Sequence, residues 1–179
     1  MTHIDRTTIQ TYANAIDRVD HYDDSRELRA FASFLRRQYD PQTYRVVEKP
    51  DGAYGVDLGI VTHTGVRVGA FDLERCLSWR DDWPAHWQSL SFLARKDRYL
   101  REAQFGMVWF NASITTCVVA WKEDILAAPI QTRTFAGQSY TDRVRRVPFA
   151  AGTLIGDTFA SGEHARFSQQ IHFNFSDCL

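Results

Sequence analysis

Apolar residues recur at helical spacing twice near the start of the chain. Ile9, Tyr12, Ala13 and Ile16 follow Thr7, which pairs with Gln10 as a capping motif, and predict a short helix over 8–19. Asp24 and Glu27 repeat the capping pattern, and Leu28, Phe31, Phe34 and Leu35 form the stripe of a helix over 24–39 that stops before Asp40-Pro41. The period then drops to two. Residues 44–48 predict a strand, 50–52 (Pro-Asp-Gly) a turn, and 54–62 a strand in which Val56, Leu58 and Ile60 point one way and Asp57 the other. A third strand over 66–77 places Asp72 and Glu74 on the side of Val66, Val68 and Ala70. Residues 78–85 are irregular, and 86–100 predict a helix that crosses over to two strongly apolar runs, 105–113 and 115–124, which read as central buried strands. From Ala127 onward the pattern gives loops with one short strand, then a closing helix or edge strand over 161–175.

The polar breaks in this pattern carry the chemistry. A hairpin turning at Thr64-Gly65 puts Asp57 opposite Asp72, whereas a three- or four-residue loop sets the two diagonally. Like charges facing each other across strands destabilise a sheet. Semi-buried carboxylates at Asp57, Asp72 and Glu74 must therefore take up protons, find cations or bind a metal, and hard oxygen donors favour Mg²⁺, Mn²⁺ or Ca²⁺. The plain structural alternative is a set of surface carboxylates neutralised by Arg67 and Arg75.

The acid on one strand and the acid-x-acid on the next resemble the core of the PD-(D/E)xK nucleases, the restriction-endonuclease-like superfamily. The resemblance runs from the helix over 24–39 to the strand ending near Trp121. It implies an α/β (α+β) fold with a mixed central sheet, an antiparallel acidic hairpin and flanking helices. It also implies a metal-dependent nuclease acting on DNA, with Asp57, Asp72 and Glu74 as metal ligands and Mg²⁺ or Mn²⁺ as cofactor. Glu74 stands where the family usually has Lys. In such a case a lysine from a neighbouring element supplies the positive charge, and Lys96, beside Arg95, is the candidate; the alternative is a solvated helix face in ARKDRYLRE. Glu27 is a further acid that either joins the site or serves the helix cap.

Composition narrows this only partly. The 179 residues are 44% hydrophobic and 13% aromatic, enough for one globular domain spanning 1–179. Three cysteines, Cys76, Cys117 and Cys178, show no C-x-x-C spacing, which points away from a zinc ribbon or disulfide framework and toward a reduced, cytoplasmic protein. The first ten residues lack a signal peptide's apolar core and no run is long enough to span a membrane, so no membrane partner is expected. A net charge of −1 counts against a protein that coats nucleic acid, although Arg143, Arg145 and Arg146 form a local basic patch able to grip phosphate. Trp79, Trp83 and Trp87 read as a packing cluster or as a base-stacking surface. Asn111 reads as a strand-end turn residue. No P-loop, HExxH or GxSxG signature is present. The near-neutral charge, the missing motif lysine and the aromatic residues keep a second function class open: a nuclease-fold protein without catalysis that binds another protein, such as a phage or mobile-element accessory factor. Oligomeric state, a homodimer included, is left open.

Overall fold

The computed structural model describes residues 25–52, 54–80, 84, 86–134 and 141–155. The predicted helix over 8–19, Asp24, Trp83, Cys178 and the closing segment over 161–175 lie outside the described residues. The class is α+β, a strand-rich mixed sheet with a few helices.

Helix α1 (Ser25–Gln38) buries Leu28, Phe31, Ala32, Phe34 and Leu35 along one stripe, with Glu27 in its first turn and Arg36 and Arg37 in its last, both matched to the helix dipole. Asp40 stops it by accepting the Gln42 N–H and the Thr43 hydroxyl in a turn. The chain then forms β1 (Tyr44–Glu48), β2 (Leu58–Thr62) and β3 (Arg67–Cys76), an antiparallel meander. After a long crossover, β5 (Phe105–Asn111) returns parallel to β3, and β6 (Cys117–Trp121) and β9 (Thr153–Ile155) extend the sheet to six strands in the order β1-β2-β3-β5-β6-β9. Between these runs, β4 (Ser89–Leu93), β7 (Ile130–Thr134) and β8 (Thr141–Pro148) form a separate antiparallel sheet, ordered β4-β8-β7.

The large sheet is packed on both faces. One apolar cluster joins α1 to Leu58, Ile60, Phe71, Val108, Phe110 and Val119, with the Phe31 ring edge-on to Phe71 at 5.2 Å and to Phe110 at 6.1 Å. The other joins Ala70, Phe105, Met107, Trp109 and Ala120 to Leu90, Phe92 and Val147 of the small sheet. From Ala70 onward, successive residues of β3 alternate between the two faces. Gly106, paired with Phe71, is required at the β3–β5 contact, because a Cβ there would sit 2.7 Å from the Phe71 ring.

Three expectations are corrected. The crossover is not a helix over 86–100: Ser89–Leu93 is strand β4, followed by a 3₁₀ helix over Ala94–Arg101. Leu90 and Phe92 alternate with polar residues at a strand's period, and β8 supplies the ladder that local propensity does not foresee. The region after Ala127 contains three strands, not one, together with the short helix α2 (Lys122–Ala127) leading into it. The face assignments around the hairpin also shift. Val56 belongs to the small-sheet side although Leu58 and Ile60 face α1, because β2 begins only at Leu58. Val68 faces α1 while Ala70 faces the small sheet, because the register slips between Ile60 and Val61. Val66 precedes β3 and is exposed.

Candidate functional site

The hairpin reaches the predicted juxtaposition by two deviations that cancel. Thr62 and Val66 close a three-residue loop, with Thr62 N–H donating to Val66 O at 2.9 Å and Gly65 at φ 87°, a conformation that favours glycine. A two-residue turn would have set the register directly. The bulge opposite Val61 restores it, so that Leu58 faces Phe71, and one step further Asp57 comes beside Asp72. Asp57 N–H donates to Phe71 O at 2.9 Å, and Asp57 Oδ2 accepts the Leu73 N–H at 2.8 Å. Asp57 thus holds the β3 backbone on either side of Asp72, at Phe71 by its own N–H and at Leu73 by its carboxylate.

Asp72 and Glu74 project from the small-sheet face of β3, opposite Met107 and Trp109 of β5. Asp72 is buried, at 4% exposure, and Glu74 is part-buried. Lys96, on the 3₁₀ helix, brings its ammonium to 2.5 Å from Asp72 Oδ2. Burial opposes its charge, but the attraction of Asp72 and Glu74, the hydrogen bond to Asp72 and the more distant Asp57 together raise its pKa above that of a free lysine. Glu74 lies in the same field. Burial raises its carboxyl pKa, Lys96 works against the rise, and the Asp72 charge adds to it. Lys96 thus pairs directly with Asp72 and acts on Glu74 and Asp57 through its field, with Arg95 and Arg133 adding to that field at Glu74. Neither arginine of the alternative reading neutralises them: Arg67 bridges Asp51 and Glu102, at 2.6 Å to each, and Arg75 pairs with Glu27 at 2.7 Å. Arg95 reaches toward Asp142 at 3.8 Å and contributes to the field at Glu74 only from a distance.

A network of contacts fixes Lys96 in place. Its neighbour Asp97 forms a two-point pair with Arg145 of β8, at 3.0 and 2.9 Å, which docks the 3₁₀ helix on the small sheet. Tyr99 OH donates to the carbonyl of Tyr54 or Gly55, both at 3.0 Å, and Arg98 donates to Tyr54 O at 2.7 Å. These bonds tie the loop that precedes Asp57 to the helix that carries Lys96. Glu27 does not join the site: it is buried against Arg75 on the α1 face, in the first turn of α1. Asn111 is buried and closes a turn, with its carbonyl oxygen accepting the Thr115 and Thr116 N–H groups.

Next to Glu74 a cavity of about 450 Å³ opens between the two sheets, with Cys76, Trp87, Trp109, Ser91, Arg133 and Arg146 on its walls. Burial, and then the Glu74 charge, push the Cys76 thiol up to about 12, so it stays protonated near neutrality and offers no thiolate nucleophile. Trp79 is core and Trp87 is wall, which divides the tryptophan series between packing and cleft. Of the basic patch, Arg145 is consumed by Asp97 while Arg146 lines the cavity. Sequence reasoning missed this cavity and Arg133, because both depend on a second sheet whose strands were read as helix and loop. The period-two pattern of SLSFL over 89–93 was the signal available for it.

Among the described residues no group of three or more His, Cys, Asp or Glu is arranged to hold a metal ion, and no helix is long and apolar enough to cross a membrane. No protein-family model, no curated protein and no solved structure matches this chain.

Proposed function

We propose that this protein is a metal-dependent nuclease of the restriction-endonuclease-like kind that hydrolyses DNA phosphodiester bonds. The observation that carries the reading is the ammonium of Lys96 set against Asp72 on a buried sheet face, two residues along β3 from Glu74 on the cavity wall and at the junction of an antiparallel hairpin with a parallel strand. A structural ion pair needs neither a surplus of carboxylates nor a cavity beside it. Mg²⁺ takes oxygen ligands and is usually held by one or two carboxylates completed by water and substrate phosphate, a smaller demand than a protein cage; Asp57 and Asp72 would be those carboxylates, with Glu74 orienting water. Bound there, Mg²⁺ or Mn²⁺ would acidify water and offset charge on the phosphoryl oxygens. Lys96 would contribute a fixed positive charge to the same transition state. Asp57, through Leu73 N–H, keeps its strand aligned with β3.

The same ion pair favours a second reading, in which Lys96 has replaced the metal for good and the protein acts without catalysis by binding another protein. Hydrolysis of linear and circular DNA in Mg²⁺, Mn²⁺ or EDTA, run beside thermal melts with and without metal, separates the two. The nuclease reading expects metal-dependent hydrolysis that Asp72→Asn abolishes. It also expects stabilisation of the wild type by about 2.7 kcal/mol at a hundredfold excess of metal over its dissociation constant. Intact DNA together with melts that ignore metal would leave the binding protein.

A further inference from the structure

The cavity beside Glu74 has a basic wall that hydrolysis alone does not account for. Arg146 Nη1 donates to Ser91 Oγ at 3.1 Å, and Arg133 Nη1 donates to the same oxygen at 2.5 Å, so two guanidinium groups converge on one hydroxyl. Burial lowers the Arg146 pKa, and the like charge of Arg133 brought beside it lowers it further. Arg146 forms no ion pair among the described residues. With Ser91 Oγ accepting from both arginines, its O–H remains to donate. The arrangement presents donors from three strands, β4, β7 and β8, toward one place, which is the geometry that binds a phosphate. The opposite wall is aromatic. Trp87 is part-exposed there, and Trp109 is 1% exposed with its indole N–H lacking a hydrogen-bond partner among the described residues. A buried donor without a partner is costly, and one lining a cavity is accounted for by an acceptor that enters it.

From these observations we infer that the cavity takes one unpaired nucleotide of a nucleic-acid strand, its phosphate held by Arg133, Arg146 and Ser91 and its base set against Trp87 and Trp109. The inference rests on the nuclease reading and deepens it by naming a single-stranded or frayed strand as substrate. A volume of about 450 Å³ is that of a small-molecule pocket and admits one nucleotide, not a duplex. Stacking on an indole requires a base freed from its partner. Glu74 lies on the same lining as the arginines, and the charges of Lys96, Arg95 and Arg133 all act on it, so the phosphate enters a field whose nearest acid is already offset by cations.

The test is binding to the protein in EDTA, which removes catalysis, followed by tryptophan fluorescence and calorimetry. Deoxyadenosine 5′-monophosphate should bind, and deoxyadenosine should bind about tenfold more weakly or worse. Arg133→Ala and Arg146→Ala should each weaken the nucleotide by about ten- to a hundredfold, with Arg146→Lys in between. Arg133 lies on an exposed strand, so its variant remains informative if Arg146→Ala folds poorly. A short single-stranded oligonucleotide should displace the nucleotide, and a hairpin duplex should do so at least about tenfold less well. Equal affinity for nucleoside and nucleotide, indifference to both arginine variants, or equal displacement by duplex would overturn the inference. An oligonucleotide that fails to displace the nucleotide would overturn the strand assignment in favour of a free nucleotide. Asp72→Asn should leave this binding intact. Nucleotide binding without metal-dependent hydrolysis would sink the nuclease reading alone, and hydrolysis without nucleotide binding would sink this one alone.

Discussion

Strand β3 carries a charged arrangement on each face, and the two are built differently. Toward α1, Arg75 meets Glu27 at 2.7 Å, one cation to one acid, within a cluster of phenylalanines and leucines. Toward the small sheet, Asp72 pairs with Lys96 while Asp57 and Glu74 lie in the same field, and Glu74 also feels Arg95 and Arg133 beside a cavity. The first pair is enclosed, which is how a buried charge is made tolerable. The second gathers several acids and several cations and has a route for a ligand. Both faces bury charge on the same strand, so burial alone does not mark a functional site; a cluster of charges next to open space does.

The sharpest way to break this contrast is through its two cations. Lys96→Ala is expected to slow the chemical step by about two to four orders of magnitude under single-turnover conditions, with metal affinity little changed. Lys122, whose ammonium is spent on the Glu102 carbonyl at 2.9 Å, is the control, and Lys122→Ala should stay near wild type. Full activity of Lys96→Ala would reduce Lys96 to a counter-ion and shift weight to the non-catalytic reading.

On the α1 face the expected loss is in stability. Glu27→Gln leaves Arg75 charged and part-buried, and should cost up to about 3–5 kcal/mol in urea unfolding while activity per folded molecule is kept. Asp72→Asn should cost less, about 1.5–3 kcal/mol, the contribution of one hydrogen bond to a charged group, since Lys96 retains Glu74 and Asp57. This revises what the sequence implies when the acids are taken alone: removing Asp72 would then relieve repulsion and raise the melting temperature. If Asp72→Asn proves the more damaging of the two, the charge on the small-sheet face is as tightly paired as that on the other, and the contrast fails.

How far the sequence foretells this molecule depends on where each constraint is stored. The stripe of α1, the apolar runs of β5 and β6 and the acids of the hairpin are local, and periodicity exposes them. Lys96 was singled out by the resemblance, which expects a lysine where the chain has Glu74, and not by any period. What stayed hidden is non-local. The bulge that turns Val68 toward α1 compensates for a loop one residue longer than the Gly65 turn suggests, and neither is visible alone. Residues 89–93 follow a strand's alternation inside a segment with helix-forming neighbours, and only the pairing with β8 decides the outcome. Arg133 and Arg146 are separated by a dozen residues and meet at Ser91, far earlier in the chain, so their partnership exists only in the folded protein.

The smallest expected effect is the pH dependence that Glu74 imposes. The Glu74 carboxyl titrates above its ordinary value in the folded protein, held up first by burial, with Lys96 opposing and Asp72 adding. An unfolded chain releases that proton near pH 4.3. Above this pH the folded state binds more protons than the unfolded one, so stability falls as pH rises, until the folded carboxyl has ionised as well. The contribution is fully present below the unfolded value and lost across the window above it, at a slope of at most about 1.4 kcal/mol per pH unit for one group. The raised pKa of Lys96 acts only in the alkaline range and leaves this window undisturbed. Glu74→Gln carries no proton to lose, so its advantage over the wild type should grow between about pH 4 and neutrality in urea unfolding performed in EDTA. Parallel stability curves for wild type and Glu74→Gln would mean that Lys96 fully offsets the burial of Glu74, and the small-sheet face would then be no more strained than the one beneath α1.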